Sequence, residues 1–172
     1  MTGFLPGSSS DTDNYASKGQ QFEVSYKFPT VAQSGGEVRV GVTTGNKPIV
    51  IKGRTISFIG SSDVDYRAAS GSNYTGGTPL SVDNLNVKDP KLTTVTVVVN
   101  PTVVAEGSIY LRYYTILSAG NNQSSRLGTD IVGKDTILPA NTQFVFTIRN
   151  NSNTAASPLF WYITFVELNP WE

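Results

Sequence analysis

From Gln21 to Leu168 the chain keeps returning to short stretches in which apolar and polar side chains alternate, separated by glycine, proline and asparagine. Phe22, Val24, Tyr26 and Phe28 alternate with Glu23, Ser25 and Lys27 before Pro29 ends the run. A period of two sends successive side chains to opposite sides of an extended backbone, so the segment reads as a half-buried strand. Val38, Val40 and Val42 repeat the pattern after Ser34-Gly35-Gly36, and Gly45-Asn46-Lys47-Pro48 supplies the next turn. Ile49-Val50-Ile51 and Ile56–Ile59 follow around Gly53, and Val64, Tyr66 and Ala68 alternate with Asp65 and Arg67. Further runs occupy 92–99, 108–117, 143–149 and 159–168.

These runs predict about eight or nine strands and no helix. Composition agrees: Val, Ile and Thr number 18, 10 and 19, against 9 Ala, 10 Leu and 5 Glu. Branching at Cβ stiffens a side chain in a way that suits a pleated strand. Antiparallel strands with one apolar face must bury it against a second sheet, so the expected fold is an all-β antiparallel sandwich with an eight-stranded jelly roll as its form. Residues 70–91 and 118–136 are polar and rich in Gly, Ser and Asn, and read as surface loops, the first with one short strand near Leu80–Val82. Residues 1–20 lack any apolar period and read as an extended N-terminal arm, leaving 21–172 as the sandwich domain.

Absent residue types remove whole classes of chemistry. With no His and no Cys there is no Ser-His-Asp triad, no thiol nucleophile, no disulfide and no zinc site of imidazole or thiolate. Thirteen basic and thirteen acidic residues give zero formal charge, which argues against nucleic-acid binding by phosphate neutralisation. No run approaches the roughly 18 apolar residues of a membrane span, and MTGFLPGSSSDTD does not read as a secretory signal. Asp63 and Asp65 fall on one strand face, and Asp11-x-Asp13-Asn14 resembles the start of a calcium loop. The first pair reads as solvated. The second breaks down at Tyr15, where the next ligand belongs. No catalytic residue, cofactor or metal is expected.

Aromatic side chains remain as candidates for adhesion. In LFWYITFVEL, Leu159, Trp161, Ile163 and Phe165 share one strand face, and Phe160, Tyr162, Thr164 and Val166 the other. A strand apolar on both faces must be covered on both, by a loop of its own chain or by another subunit. Phe4, Leu5 and Tyr15 are the sizeable apolar groups of the arm, and Trp171 stands near the chain end. These four with Phe160 and Tyr162 are the expected partner-binding residues. Tyr74, in Asn-Tyr-Thr-Gly-Gly-Thr-Pro, is the candidate for stacking on a glycan, the other reading being a tyrosine that pins its own loop.

Two segments together resemble small virion proteins of tailed bacteriophages. SNYTGGTPLSVDNLNVKDPKLTTVTV matches their pattern at Tyr74, Gly76, Gly77, Thr78, Pro79, Val82, Asn84 and Asn86. ILPANTQFVFTIRNNSNTAASPLFWYITFVE is similar to their C-terminal hairpin at Leu138, Asn141, Thr142, Ile148 and Asn150, but departs at its close, where Phe165-Val166-Glu167 stand. The resemblance covers about a third of the chain. It implies a non-enzymatic structural protein that decorates or cements the outer capsid surface and is made in the host cytoplasm. The implied partners are the major capsid protein and further copies of itself, as dimer or trimer, with neither nucleic acid nor membrane. The second expectation is a carbohydrate-binding or host-attachment module of a tail or head fibre, with a host glycan as partner.

Overall fold

The computed structural model describes residues 15–29, 35–59, 62–117, 124–129, 136–151 and 159–169, and of 57–59, 62–66, 110–117, 124–129 and Leu159 it describes only the backbone. The described strands are β1 (Gln21–Phe28), β2 (Gly36–Thr43), β3 (Ile49–Ile59), β4 (Ser62–Ser70), β5 (Asn73–Thr75), β6 (Thr78–Pro79), β7 (Asp83–Asn84), β8 (Thr96–Val99), β9 (Thr102–Ala105), β10 (Ser108–Leu117), β11 (Ser124–Thr129), β12 (Thr136–Leu138), β13 (Gln143–Asn150) and β14 (Leu159–Glu167). The chain is all-β, with antiparallel sheets packed as a sandwich.

The long strands pair in nested fashion. β1 pairs with β14, β2 with β13, β3 with β11 and β4 with β10, each antiparallel. The chain is thus doubled back about a midpoint between β4 and β10. The doubled ribbon is then rolled, so that β14 also pairs with β3 and β13 with β4. One sheet has the order β11-β3-β14-β1-β7, with β12 also on β3, and the other the order β10-β4-β13-β2-β8-β6.

The alternation read from the sequence becomes the sandwich interior. Phe22, Val24 and Phe28 from β1 and Trp161, Ile163 and Phe165 from β14 are buried to within 2% of full enclosure. They face Val40 and Val42 of β2 and Phe144, Phe146 and Ile148 of β13. Phe22 stacks on Phe165 at 5.5 Å between ring centres, and Phe146 meets Trp161 across the two sheets at 6.0 Å. Such aromatic pairs add about 0.5–1.5 kcal/mol to the burial of their area.

The outer face of the second sheet is covered as well. Val145 and Thr147 of β13 are buried although they alternate with the core residues. Above this face lies the two-stranded ribbon of β5 and β9, whose Tyr74 ring sits on Gly41 of β2. A Cβ at Gly41 would meet the ring at 2.5 Å, so only glycine lets the ribbon lie this close.

Three expectations are corrected. The 70–91 segment is not one irregular loop: it contains β5, β6 and β7, which exist because β9, β8 and β1 offer them free edges. Leu80–Val82 is not itself a strand, since Leu80 and Val82 lie between β6 and β7 and turn inward onto the core. The 118–136 segment, expected as a loop, contributes β11 to the edge of β3. Of the expected arm, residues 15–20 are described. They form a helical turn in which Gly19 and Gln20 N–H donate to the Ala16 and Tyr15 carbonyls.

Candidate functional site

Two surfaces on the first sheet stand out, and β14 carries both. Its outward face divides near Thr164, where the register against β3 shifts. Toward the end of the strand Val166 is fully buried, and Glu167, which by alternation points to the opposite face, is 3% exposed. Toward its start Phe160 is 37% exposed and Tyr162 half-buried. The outward face of the strand is therefore buried at Val166 and partly open at Phe160 and Tyr162.

In the open half the Phe160 and Tyr162 rings stack nearly parallel, with centres 6.3 Å apart and planes 13° apart. Tyr162 Oη donates to Glu23 Oε2 on the neighbouring strand at 3.0 Å. Burial first, then the hydrogen bond and charge of Glu23, push the Tyr162 hydroxyl up to about 12. The hydroxyl thus stays a neutral donor, and the bond fixes the ring pair in place on the sheet.

The covered half ends in a polar cleft of about 290 Å³. The Glu167 backbone N–H donates to the Gln20 carbonyl, extending the pairing of β1 with β14. The Glu167 carboxylate is turned onto the loop before β8, where Oε1 accepts from Thr93 Oγ1 (2.7 Å), Thr94 N–H (2.7 Å) and Thr94 Oγ1 (2.9 Å). Around it stand Lys18 of the helical turn, Lys47 of the β2–β3 turn, and Lys91. Among the described residues, three lysines and one carboxylate line the cleft. The helical turn is fastened to the same loop. Lys91 Nζ donates to the Lys18 carbonyl, Asn86 Nδ2 to that of Ser17 and Asn84 Nδ2 to that of Gly19, at 2.9, 3.0 and 2.9 Å.

Beyond Lys91 and Leu92 lies a second groove of about 320 Å³, with Pro79, Leu80, Val82, Val95 and Val97 among its walls. Leu92 is 96% exposed and Val87, on the same loop, 90%. Full burial of side chains of this size contributes about 1.5–3 kcal/mol each, which this surface leaves unrealised.

Of the expected partner-binding residues, Phe160 and Tyr162 stack on each other, and Tyr15 stands apart from them. Tyr15 opens the helical turn, at the Gln21–Val166 end of β1, while Phe160 pairs with Lys27 near the other end, about 20 Å away at 3.3 Å per residue. Phe4, Leu5 and Trp171 lie outside the described residues, as do Asp11 and Asp13. Asp63 and Asp65 do fall two apart on β4. Tyr74, proposed from the sequence to stack on a sugar, is a correction: the side chain is 7% exposed, packed on Gly41, with its hydroxyl sharing a 2.7 Å hydrogen bond with Thr43. Burial raises its hydroxyl above the usual range, a shift the Thr43 bond partly offsets. The ring holds its own ribbon and offers no free face.

Sequence reasoning missed Glu167 and the lysine cleft. An isolated carboxylate closing an otherwise apolar strand is a legible signal for the first. The lysines come from three distant segments and share no spacing. Among the described residues no group of three or more acidic side chains gathers to hold a metal ion. Compared with known family models, curated proteins and solved structures, the chain matches none.

Proposed function

We propose that this chain is a non-enzymatic structural protein of a tailed-bacteriophage virion. It decorates or cements the outer capsid surface through the major capsid protein and further copies of itself. The single observation that carries the reading is the open aromatic strip of β14. The inner face of that strand already supplies the core, yet its outer face holds Phe160 and Tyr162 stacked and tied by Glu23 in a fixed arrangement. Fixed aromatic rings are effective contact groups because little side-chain freedom is lost when they dock.

The strand order supports the same reading. We read the nested pairing of the long strands, rolled into two sheets, as a jelly roll, a form common among capsid and lectin domains. A fold does not name a function by itself, so the weight rests on the strip. The mechanism is linkage: a protein that binds assembled shell better than free subunits stabilises the shell. Many copies on a repeating lattice make weak single contacts sufficient.

The test is copy number and binding on purified particles. Hundreds of copies per particle are expected, with Phe160→Ser/Tyr162→Ser protein folded but failing to bind stripped shells. A dozen copies or fewer, or undiminished binding by the variant, refutes the proposal. For the alternative, a host-glycan module, Tyr74 is withdrawn as the stacking ring, and among the described residues the β14 strip is an aromatic surface that could serve it. A glycan array signal lost in the same variant would favour that alternative.

A further inference from the structure

The outer edge of β1 is covered along only part of its length. Leu85 N–H donates to the Gln21 carbonyl on the β7 side, whereas Glu167 N–H donates to the Gln20 carbonyl on the β14 side. Backbone groups of successive residues in an antiparallel strand point to opposite sides. Glu23, Ser25 and Lys27 therefore face outward with Gln21, and Val24, Tyr26 and Phe28 face β14. Among the described residues β7 covers this edge at Phe22 and Glu23 alone. The N–H and C=O groups of Ser25 and Lys27 stand unpaired along it. Beyond Phe28 the chain bends at Pro29, so the open edge is the stretch 24–28.

An unpaired edge is a template for another strand, and the stretch that matches this one is its own sequence read backwards. We propose that a second copy of this chain docks here, β1 against β1, in antiparallel register about a two-fold axis at Tyr26. Ser25 then lies opposite Lys27 of the second copy, and about four backbone hydrogen bonds form between them and their symmetry mates. The register stops where it must. Its next position sets Pro29 of one copy against Glu23 of the other, whose edge β7 already holds. A lysine on an edge ordinarily guards it against pairing. Here Lys27 is exposed and has no ionic partner among the described residues. In the dimer it comes opposite the small Ser25 of the second copy, with Glu23 of that copy on the diagonal at about 7–8 Å. Glu23 gives Oε2 to Tyr162, which leaves Oε1 for the lysine. On the inner face the half-buried Tyr26, edge-on to Phe28 at 4.8 Å, meets Tyr26 of the second copy across the axis. An apolar contact inside thus backs the ionic one outside. The pairing deepens the self-association proposed above, but it stands on the edge of β1 alone.

The chain has no cysteine, so single cysteines report the register. Full-length Ser25→Cys protein is mixed with full-length Lys27→Cys protein in a glutathione buffer. Opposed residues in this pairing lie about 5.5 Å apart at Cα, within the reach of a disulfide. The Ser25–Ser25 and Lys27–Lys27 diagonals, at about 7–8 Å, lie outside it. The expected product is the mixed disulfide dimer, several-fold above the share that random collision gives. Ser25→Pro removes an outward N–H that nothing in the chain uses, at an edge position where proline is tolerated. That variant should keep the urea midpoint and far-UV spectrum of the parent while losing the parent's concentration-dependent dimer in sedimentation. A random product ratio, a parent monomeric at every concentration, or a folded proline variant that dimerises like the parent would each overturn the pairing. The product ratio decides the matter should proline unfold the domain. Both measurements use the protein alone, so a failed pairing is distinct from failed capsid binding.

Discussion

Replacing Gly41 by alanine puts one methyl group between β2 and the ribbon that covers it. The added Cβ meets Cζ of Tyr74 at 2.5 Å and its two Cε atoms at 2.7 and 2.9 Å. Carbon atoms settle at about 3.5–4.0 Å, so the ring must withdraw by about 1 Å. It is not free to do so. The Tyr74 hydroxyl is held by Thr43 at 2.7 Å and its backbone N–H by Gln143 Oε1 at 3.1 Å. Overpacking of this kind costs about 1–3 kcal/mol. Breaking the Thr43 bond adds about 0.5–1.5 kcal/mol, and the stiffer unfolded chain returns about 0.4–1 kcal/mol. Gly41→Ala should therefore destabilise the domain by about 0.5–4 kcal/mol net, centred near about 2 kcal/mol, read as the shift in urea midpoint at constant slope. The reasoning makes a sharper demand through a double-mutant cycle. In a Tyr74→Ala background the obstructing ring is gone, and Gly41→Ala should be neutral or stabilising. An equal loss in both backgrounds would show that the ring contact is not the cause.

Three further outcomes are expected. Glu167→Ala leaves Thr93 and Thr94 without their shared acceptor and should cost about 1.5–3 kcal/mol, with faster amide exchange at Thr94 as the local sign; unchanged exchange there refutes it. The Tyr162 hydroxyl, held up at about 12 against an ordinary value of 10.0, keeps its proton in the folded chain where the unfolded chain releases it. Its contribution is therefore full below about pH 10 and lost as pH rises toward about 12, so Tyr162→Phe should lose less stability than the parent between about pH 9 and pH 11.5. Phe160→Ser, at a position 37% exposed, should change stability by less than about 1 kcal/mol while weakening self-association in sedimentation runs; an unfolded variant would place Phe160 in the structural framework instead.

Local pattern foretold the strands that supply the core. The alternation at Phe22–Phe28 became β1, that at Val38–Val42 became β2, and the doubly apolar LFWYITFVEL became the central β14. The short strands escaped because nothing local makes them. β6 is Thr78-Pro79 and β7 is Asp83-Asn84, two-residue strands in which Pro, Asp and Asn are poor strand formers, and they pair only because β8 and β1 leave an edge open. Tyr74 was misplaced for a related reason: its neighbour in space, Gly41, is remote in sequence, and the missing side chain there is a vacancy visible only once the sheets are assembled. The lysine cleft was equally hidden, since residues 18, 47 and 91 meet through topology alone.

The pairing of Gln21 with Val166 has a consequence for biogenesis. A ribosome delivers β1 well before its partner β14, with every other strand of the domain in between, and β14 also fills the middle of that sheet between β1 and β3. Until it emerges, Phe22, Val24 and Phe28 have no neighbour on that side. The nascent polypeptide must wait for its closing segment, and such distant pairings form slowly and expose sticky edges meanwhile. Translation that stalls before Leu159 would yield fragments prone to clump, however sound the finished molecule.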